Sequence, residues 1–246
     1  MPRGMQNLLV KVKPLVPVAL KRGVKRHIPS RYYRYFDPDW HRRTIGYVEE
    51  WEQHGQAQFD YLKAQGLEPE HRFLDIGCGP LRGGIHFIRY LEAGHYYGVE
   101  KNAGVLEMAR EVELPRYGLV DKQPVLRVDE SFDFPALGQT FDYAWAQSVF
   151  THLPVNSIIR CLMNVEKVLA PGGKFYATFY ENEQGKRNLD PIRQSPQVVS
   201  YVDQDSYHYD FGTFEWICAG TSLSARYLGG WNNPRNQKVL LFTKDG

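Results

Sequence analysis

Phe73-Leu74-Asp75-Ile76-Gly77-Cys78-Gly79-Pro80-Leu81-Arg82-Gly83-Gly84 is an apolar run that carries one acid and opens into a glycine-rich bend. It reads as a short buried strand, a tight turn and the start of a helix. Gly77 and Gly79 let the backbone turn sharply and leave room for a ligand to come close. Asp75 falls at the carboxyl end of the strand, the edge at which open α/β sheets bind ligands. An acid there repels a phosphate and suits a ligand that bears an ammonium or sulfonium group. The spacing Gly77-x-Gly79-x-x-x-Gly83 also departs from the dinucleotide pattern G-x-G-x-x-G.

The chain downstream repeats the pattern of strand and acid. His95-Tyr96-Tyr97-Gly98-Val99-Glu100 reads as a second strand ending in a carboxylate, at the distance from the glycine bend where an acid binds ribose hydroxyls. Pro124-Val125-Leu126-Arg127-Val128-Asp129 reads as a third strand, and Phe141-Asp142-Tyr143-Ala144-Trp145-Ala146-Gln147-Ser148 as a fourth. Strands are expected near 72–76, 95–100, 124–128, 141–147, 173–181, 222–228 and 237–243. Helices are expected near 83–92, 103–113, 155–169 and 213–220. Alternation of this kind argues for a mainly parallel, doubly wound α/β sheet covered on both faces. Ahead of it, residues 44–65 read as an amphipathic helix with Tyr47, Trp51, Phe59 and Leu62 on its apolar side.

These landmarks together resemble the class I S-adenosylmethionine-dependent methyltransferases. Leu74 to Gly79 resembles their motif I, and Gln147-Ser148 with Val149-Phe150-Thr151-His152-Leu153-Pro154 resembles their motif IV and the loop after it. Val168-Leu169-Ala170-Pro171-Gly172-Gly173-Lys174-Phe175 resembles the helix, turn and fifth strand that close the pattern. The resemblance covers residues 70 to 181. It implies a Rossmann-like sheet of seven strands with the last one antiparallel, and S-adenosyl-L-methionine as cofactor. The residues it sets around that cofactor are Asp75, Gly77, Gly79, Glu100, Asp129 near the adenine, and Gln147; Arg82 in the glycine bend is placed to meet the cofactor carboxylate.

Three residues are candidates for removing a proton from the acceptor. His152 follows the fourth strand and reads either as a base or substrate contact or as a histidine that caps the loop. His208 lies in Ser206-Tyr207-His208-Tyr209-Asp210, where Asp210 could fix its tautomer; Asp210 as a helix cap is the competing reading. Glu181 ends the fifth strand and could take a proton or bind a sugar hydroxyl. Aromatic residues outside the core, Tyr32, Tyr33, Tyr35, Phe36, Trp40, Tyr207, Tyr209 and Trp231, either wall a pocket or pack.

Exclusions narrow the acceptor. No Asn or Asp followed by Pro-Pro and an aromatic residue ends the fourth strand, as in enzymes that methylate amino groups of nucleic acids. No paired-glutamate loop of the protein-arginine enzymes is present, and no acid cluster suggests the magnesium site of the catechol type, so no metal is expected. Outside the amino-terminal arm no basic stripe marks a nucleic-acid surface.

Composition adds the setting. Three scattered cysteines, Cys78, Cys161 and Cys218, show neither zinc spacing nor a disulfide framework, which fits a reducing, cytoplasmic compartment. Residues 1–43 hold eleven Lys or Arg against two acids. Pro14, Pro17 and interleaved bases set this arm apart from a cleaved signal. It is read as a solvated tail, with contact to an anionic membrane surface or an anionic substrate as alternatives. The expected domains are this arm and a methyltransferase domain at 44–246; in it the polar interruption at 182–200 after the fifth strand opens a segment, 182–212, that is read as a substrate lid, with a surface excursion of no role as the alternative. The expected activity is methyl transfer to the hydroxyl of a small molecule or glycan, as in bacterial enzymes of sugar and secondary metabolism. N-methylation of a small amine and a non-catalytic protein that binds S-adenosylmethionine are the alternatives.

Overall fold

The computed structural model describes residues 39–43, 45, 50–182, 189–231 and 234–246. The chain divides into units at 1–49 and 50–246. In the first unit Trp40–Arg43 forms one turn of helix. Most of the basic arm, and with it the expected membrane or substrate contact, lies outside the described residues, as does Tyr47.

In the second unit the apolar runs that flank the glycine bend form the centre of a sheet. Its first strands are β1 (Phe73–Ile76), β2 (Tyr96–Glu100), β3 (Val125–Val128), β4 (Phe141–Ala146) and β5 (Leu169–Glu181). They are joined late in the chain by β9 (Leu223–Gly230) and β10 (Lys238–Lys244). The order is β3-β2-β1-β4-β5-β10-β9. All neighbours from β3 to β5 are parallel, and β10 runs antiparallel to both β5 and β9. This is the doubly wound, Rossmann-like arrangement that the alternation of strand and helix implies. Strand order reverses between β1 and β4, and at such a point the connections leave the sheet on opposite faces and open a crevice beyond the strand ends.

Side chains alternate across the sheet. Leu74 and Ile76 pack with α4 (Val155–Val168) and α5 (Phe211–Cys218) in a layer that holds Phe150, Phe175, Phe214 and Phe242. Phe73, Tyr143 and Trp145 face the other layer, under α1 (Trp51–Ala64), α2 (Gly84–Tyr90) and α3 (Ala103–Met108). The expected amphipathic helix thus exists as α1, but its buried line is Trp51, Gly55, Gln58 and Leu62, with Phe59 only half-buried. Gln58 is buried because the core presents a polar atom there: its Oε1 accepts from Trp145 Nε1 at 3.1 Å.

The helix lies hard against the glycine bend. A β-carbon at Gly55 would overlap the Arg82 carbonyl oxygen, and one at Gly83 would come within 2.7 Å of Gln58 Oε1. Gly83 is therefore small for packing. Its backbone is right-handed helical, unlike that of Gly77 and Gly79.

The polar stretch after β5 carries more order than a loop. Ile192–Ser195 (β6) and Val198–Ser200 (β7) form a hairpin, and His208–Tyr209 (β8) pairs parallel to the end of β5. Residues 183–188, part of the expected lid, lie outside the described residues.

Candidate functional site

Tight backbone geometry builds the first wall of the crevice. Gly77 and Gly79 have φ of 71° and 54°, in the left-handed region that glycine enters without strain. Gly77 and Cys78 donate their N–H groups to the Val99 carbonyl at 2.8 and 3.1 Å, which ties the bend to β2. A β-carbon at Gly77 would stand 2.6 Å from Val149 Cγ2, so the bend also touches the loop after β4. Glu100, at the tip of β2, then joins two loops. Its Oε2 accepts from Gly79 N–H at 3.2 Å and its Oε1 from Asn102 N–H at 2.8 Å. Asn102 in turn caps α3 by accepting from Gly104 and Val105. Each Glu100 oxygen keeps a further acceptor position, and the residue is half-buried, open to the crevice side of the strand ends.

Asp129, just past β3, lies beside it: its N–H donates to the Glu100 carbonyl at 3.1 Å. Asp129 Oδ1 accepts from both the N–H and the hydroxyl of Ser131 at 2.8 Å. Its Oδ2 is buried and has no hydrogen-bond partner among the described residues. A buried acceptor without a donor is unfavourable. The glycine bend, Glu100 and Asp129 thus follow one another along the ends of β1, β2 and β3.

Asp75 differs from the expectation drawn for it. It shares its face of β1 with Phe73, points into the layer under α2 and is only 6 % exposed. The Tyr96 hydroxyl donates to its Oδ2 at 2.6 Å, and Gly84 leaves the room for that hydroxyl. Burial pushes the carboxyl up to about 7; the Tyr96 hydrogen bond opposes this, and the nearby Glu100 charge adds to it. A carboxyl whose folded value lies above its unfolded one adds most to stability below the unfolded value, and that contribution is lost as pH rises through the folded value. Between about pH 4 and pH 7 the ligand-free protein should lose stability through this group, on the order of 4 kcal/mol at most. Asp75→Asn, which keeps an acceptor for Tyr96, should therefore raise the urea midpoint at pH 8 and give little gain at pH 4. An equal effect at both would show that Asp75 is ionised throughout.

At the tip of β4 the sequence reading finds Gln147 but misses what holds it. Ser148 sits at φ 56° and its N–H donates to Thr178 Oγ1 at 2.8 Å. Gln237, buried at the start of β10, accepts from Thr178 Oγ1 at 2.8 Å and donates to Ser148 Oγ at 2.7 Å. Gln147 Nε2 donates to Ser148 Oγ at 2.8 Å and approaches Gln237 Oε1 at 3.5 Å. This network of neutral groups joins β4, β5 and β10. Its outlying member Gln237 lies 90 residues from Gln147, and no local signal marks it. Arg82, the other expected contact, is buried in the bend beneath α1.

The three candidate bases have separate partners. His208 is 2 % exposed and its Nδ1 meets Ser200 Oγ at 3.0 Å, so Ser200 and not Asp210 orients it. The expected His208–Asp210 pair is thereby corrected. Asp210 stands at the N-cap of α5 by position, without a side-chain capping bond. Glu181 accepts from the Tyr227 hydroxyl at 2.8 Å, and its carbonyl accepts from Gln194 at 3.2 Å, which gives it a role in joining β5, β9 and the insertion. His152 lies on the 3-10 turn Phe150–His152 directly after β4. Its side chain is 48 % exposed, and Nδ1 is 2.5 Å from Asp205 Oδ1. A carboxylate-bound imidazole exists at this edge, on a residue pair that sequence proximity does not show. Among the described residues no three His, Cys, Asp or Glu side chains stand together as a metal site, and no helix is long and apolar enough to cross a membrane.

Comparison with known proteins agrees with this geometry. A family model described as a methyltransferase domain matches residues 74–175. An uncharacterised methyltransferase of Schizosaccharomyces pombe is 29 % identical over 106 residues, covering 42 % of this chain and 37 % of that one. The probable methyltransferase ltbC of Aspergillus luteorubrus is 28 % identical over 109 residues, 41 % of this chain and 36 % of that protein. The matched stretch thus spans little more than a third of each of these relatives.

Solved structures match more of the fold. Magnesium protoporphyrin IX methyltransferase of Synechocystis, solved with S-adenosylmethionine, superposes with a TM-score of 0.58 at 16 % identity, covering 88 % of this chain and 95 % of the other. The CcbJ methyltransferase of Streptomyces caelestis gives 0.59 at 13 % identity over 78 % and 90 %. With the glycine bend, the acid at the tip of β2 and the strand order all in place, residues 74–175 match a methyltransferase domain, and the sheet has the fold of S-adenosylmethionine-dependent methyltransferases.

Proposed function

We propose that this protein transfers a methyl group from S-adenosylmethionine to a hydroxyl of a small molecule, with His152 receiving the hydroxyl proton. The observation that carries the reading is the half-exposed imidazole on the turn after β4, held by a carboxylate. A hydroxyl nucleophile gains from a base as it attacks, and an imidazole near neutral pH is suited to that work. The neutral Gln147–Ser148–Gln237 network at the same edge supports a neutral acceptor. The structural relatives include an enzyme that methylates magnesium protoporphyrin IX, itself a small molecule.

When bound, the cofactor supplies a methyl on a sulfonium sulfur that leaves as a neutral thioether with the C–S electron pair. Residues of this chain do the rest. The glycine bend and Glu100 would hold the ribose, with Asp129 beside them on the adenine side. Gln147 and its network shape the edge at which the acceptor oxygen lies, so that attack is in line. His152 Nε2 takes the acceptor's proton as the new C–O bond forms and releases it to solvent through its exposed edge.

The test is incubation of the purified protein with methyl-labelled S-adenosylmethionine and a panel of phenols, sugars, hydroxy acids and amines. Label is expected in one or more hydroxyl compounds and released by ether-cleaving treatment under conditions that leave N-methyl groups intact. Label confined to amines would reverse the reading in favour of N-methylation. Failure of calorimetry to detect the cofactor at all would remove it.

A further inference from the structure

We propose that Asp205, supplied by the insertion after β5, is a positioning residue: it fixes the tautomer of His152 and makes Nε2 the nitrogen that accepts the substrate proton. The proposal rests on the reading of His152 as the base and adds the residue that prepares it.

A carboxylate only accepts hydrogen bonds, so the 2.5 Å contact to His152 Nδ1 requires the proton on Nδ1, and in the neutral ring this leaves the lone pair on Nε2. An imidazole free in water favours the opposite tautomer. The carboxylate arrives from 53 residues away and is held in register on both sides of the histidine. Tyr207 N–H donates to the Thr151 carbonyl at 2.7 Å, and the Tyr209 hydroxyl donates to the Leu153 carbonyl at 2.5 Å. The segment that bears Asp205 is closed on itself by Tyr201 N–H on the Ser206 carbonyl at 2.7 Å and His208 N–H on the Tyr201 carbonyl at 3.0 Å. Its far end is anchored to the sheet, where Tyr180 pairs with His208 and Glu181 with Tyr209. Four hydrogen bonds and one strand pairing thus place one carboxylate against one imidazole.

Stability does not account for the arrangement. The two side chains are 48 % and 59 % exposed, and ion pairs in that setting contribute little to folding. Both ends of the contact are wet enough to exchange protons with solvent and sit at the edge of the sheet where the acceptor must enter.

The experiment uses nitrogen-15 NMR of the imidazole rings in the ligand-free protein, with the His152 signal identified by its loss in His152→Ala. The wild type should show Nδ1 protonated and Nε2 bare. In Asp205→Asn the amide can donate to Nδ1, and the signal should move toward the Nε2–H form; Asp205→Glu should restore the wild-type pattern in part. Calorimetric affinity for S-adenosylmethionine should be the same in all three. On an acceptor labelled in the panel above, Asp205→Asn should lower kcat ~10–100-fold with KM for the cofactor unchanged. An unchanged tautomer in Asp205→Asn overturns the proposal, even if activity falls. If no panel compound is methylated, the hydroxyl reading fails, and the tautomer measurement still decides the role of Asp205.

Discussion

Glu100→Ala is expected to bind S-adenosylmethionine ~100-fold more weakly than the wild type in calorimetry. The residue carries two loads. It accepts the N–H groups of Gly79 and Asn102, which fixes the loops after β1 and β2 against each other. In the function proposed above, its remaining acceptor positions also hold the ribose. Hydrogen bonds to a charged group are worth about 1.5–3 kcal/mol each. Loss of the ribose contacts with a loosened bend therefore amounts to roughly 3 kcal/mol, or ~100-fold in Kd. Glu100→Gln keeps one acceptor and should fall between, near tenfold. Unchanged affinity in Glu100→Ala would mean that the cofactor ribose lies elsewhere, and the crevice would need another occupant.

His152→Ala should lower kcat ~100- to 10⁴-fold on a hydroxyl acceptor while leaving the cofactor Kd where it is. The separation of the two effects follows from position. His152 is on the turn after β4 and bonds to the insertion, whereas the proposed cofactor contacts come from the ends of β1, β2 and β3. His208→Ala serves as the contrast. That imidazole is buried against Ser200, so its loss should reduce the stability of the insertion rather than abolish turnover. Equal kcat in wild type and His152→Ala would assign proton removal to water or to the substrate itself.

The sheet was legible because its strands are short apolar runs bounded by glycine and acid, and burial on both faces leaves few other readings for such runs. Leu74, Ile76, Val99, Ala144 and Phe175 all lie where that logic puts them. The hairpin Ile192–Ser195 and Val198–Ser200 and the two-residue strand His208–Tyr209 were not legible. They are too short and too polar to show a period, and they exist because the end of β5 offers them a partner.

The site divides in the same way. Glu100 and the glycines follow from local spacing. Asp205, Gln237 and Gln58 are polar residues whose roles come from partners 53, 59 and 87 residues distant. Sequence proximity suggested His208 with Asp210 as readily as Asp210 at a helix start, and the fold sets His208 against Ser200 instead. Gln58 is a case in point: nothing nearby explains a glutamine on the inner side of an amphipathic helix until the indole of Trp145 is placed beneath it.

The near absence of side-chain volume between α1 and the bend has a mechanical consequence. With Gly55 against the Arg82 backbone and Gly83 against Gln58, no compressible layer separates the two, and interiors packed this closely transmit displacement instead of absorbing it. A small axial slide of the helix would drag the cradle with it.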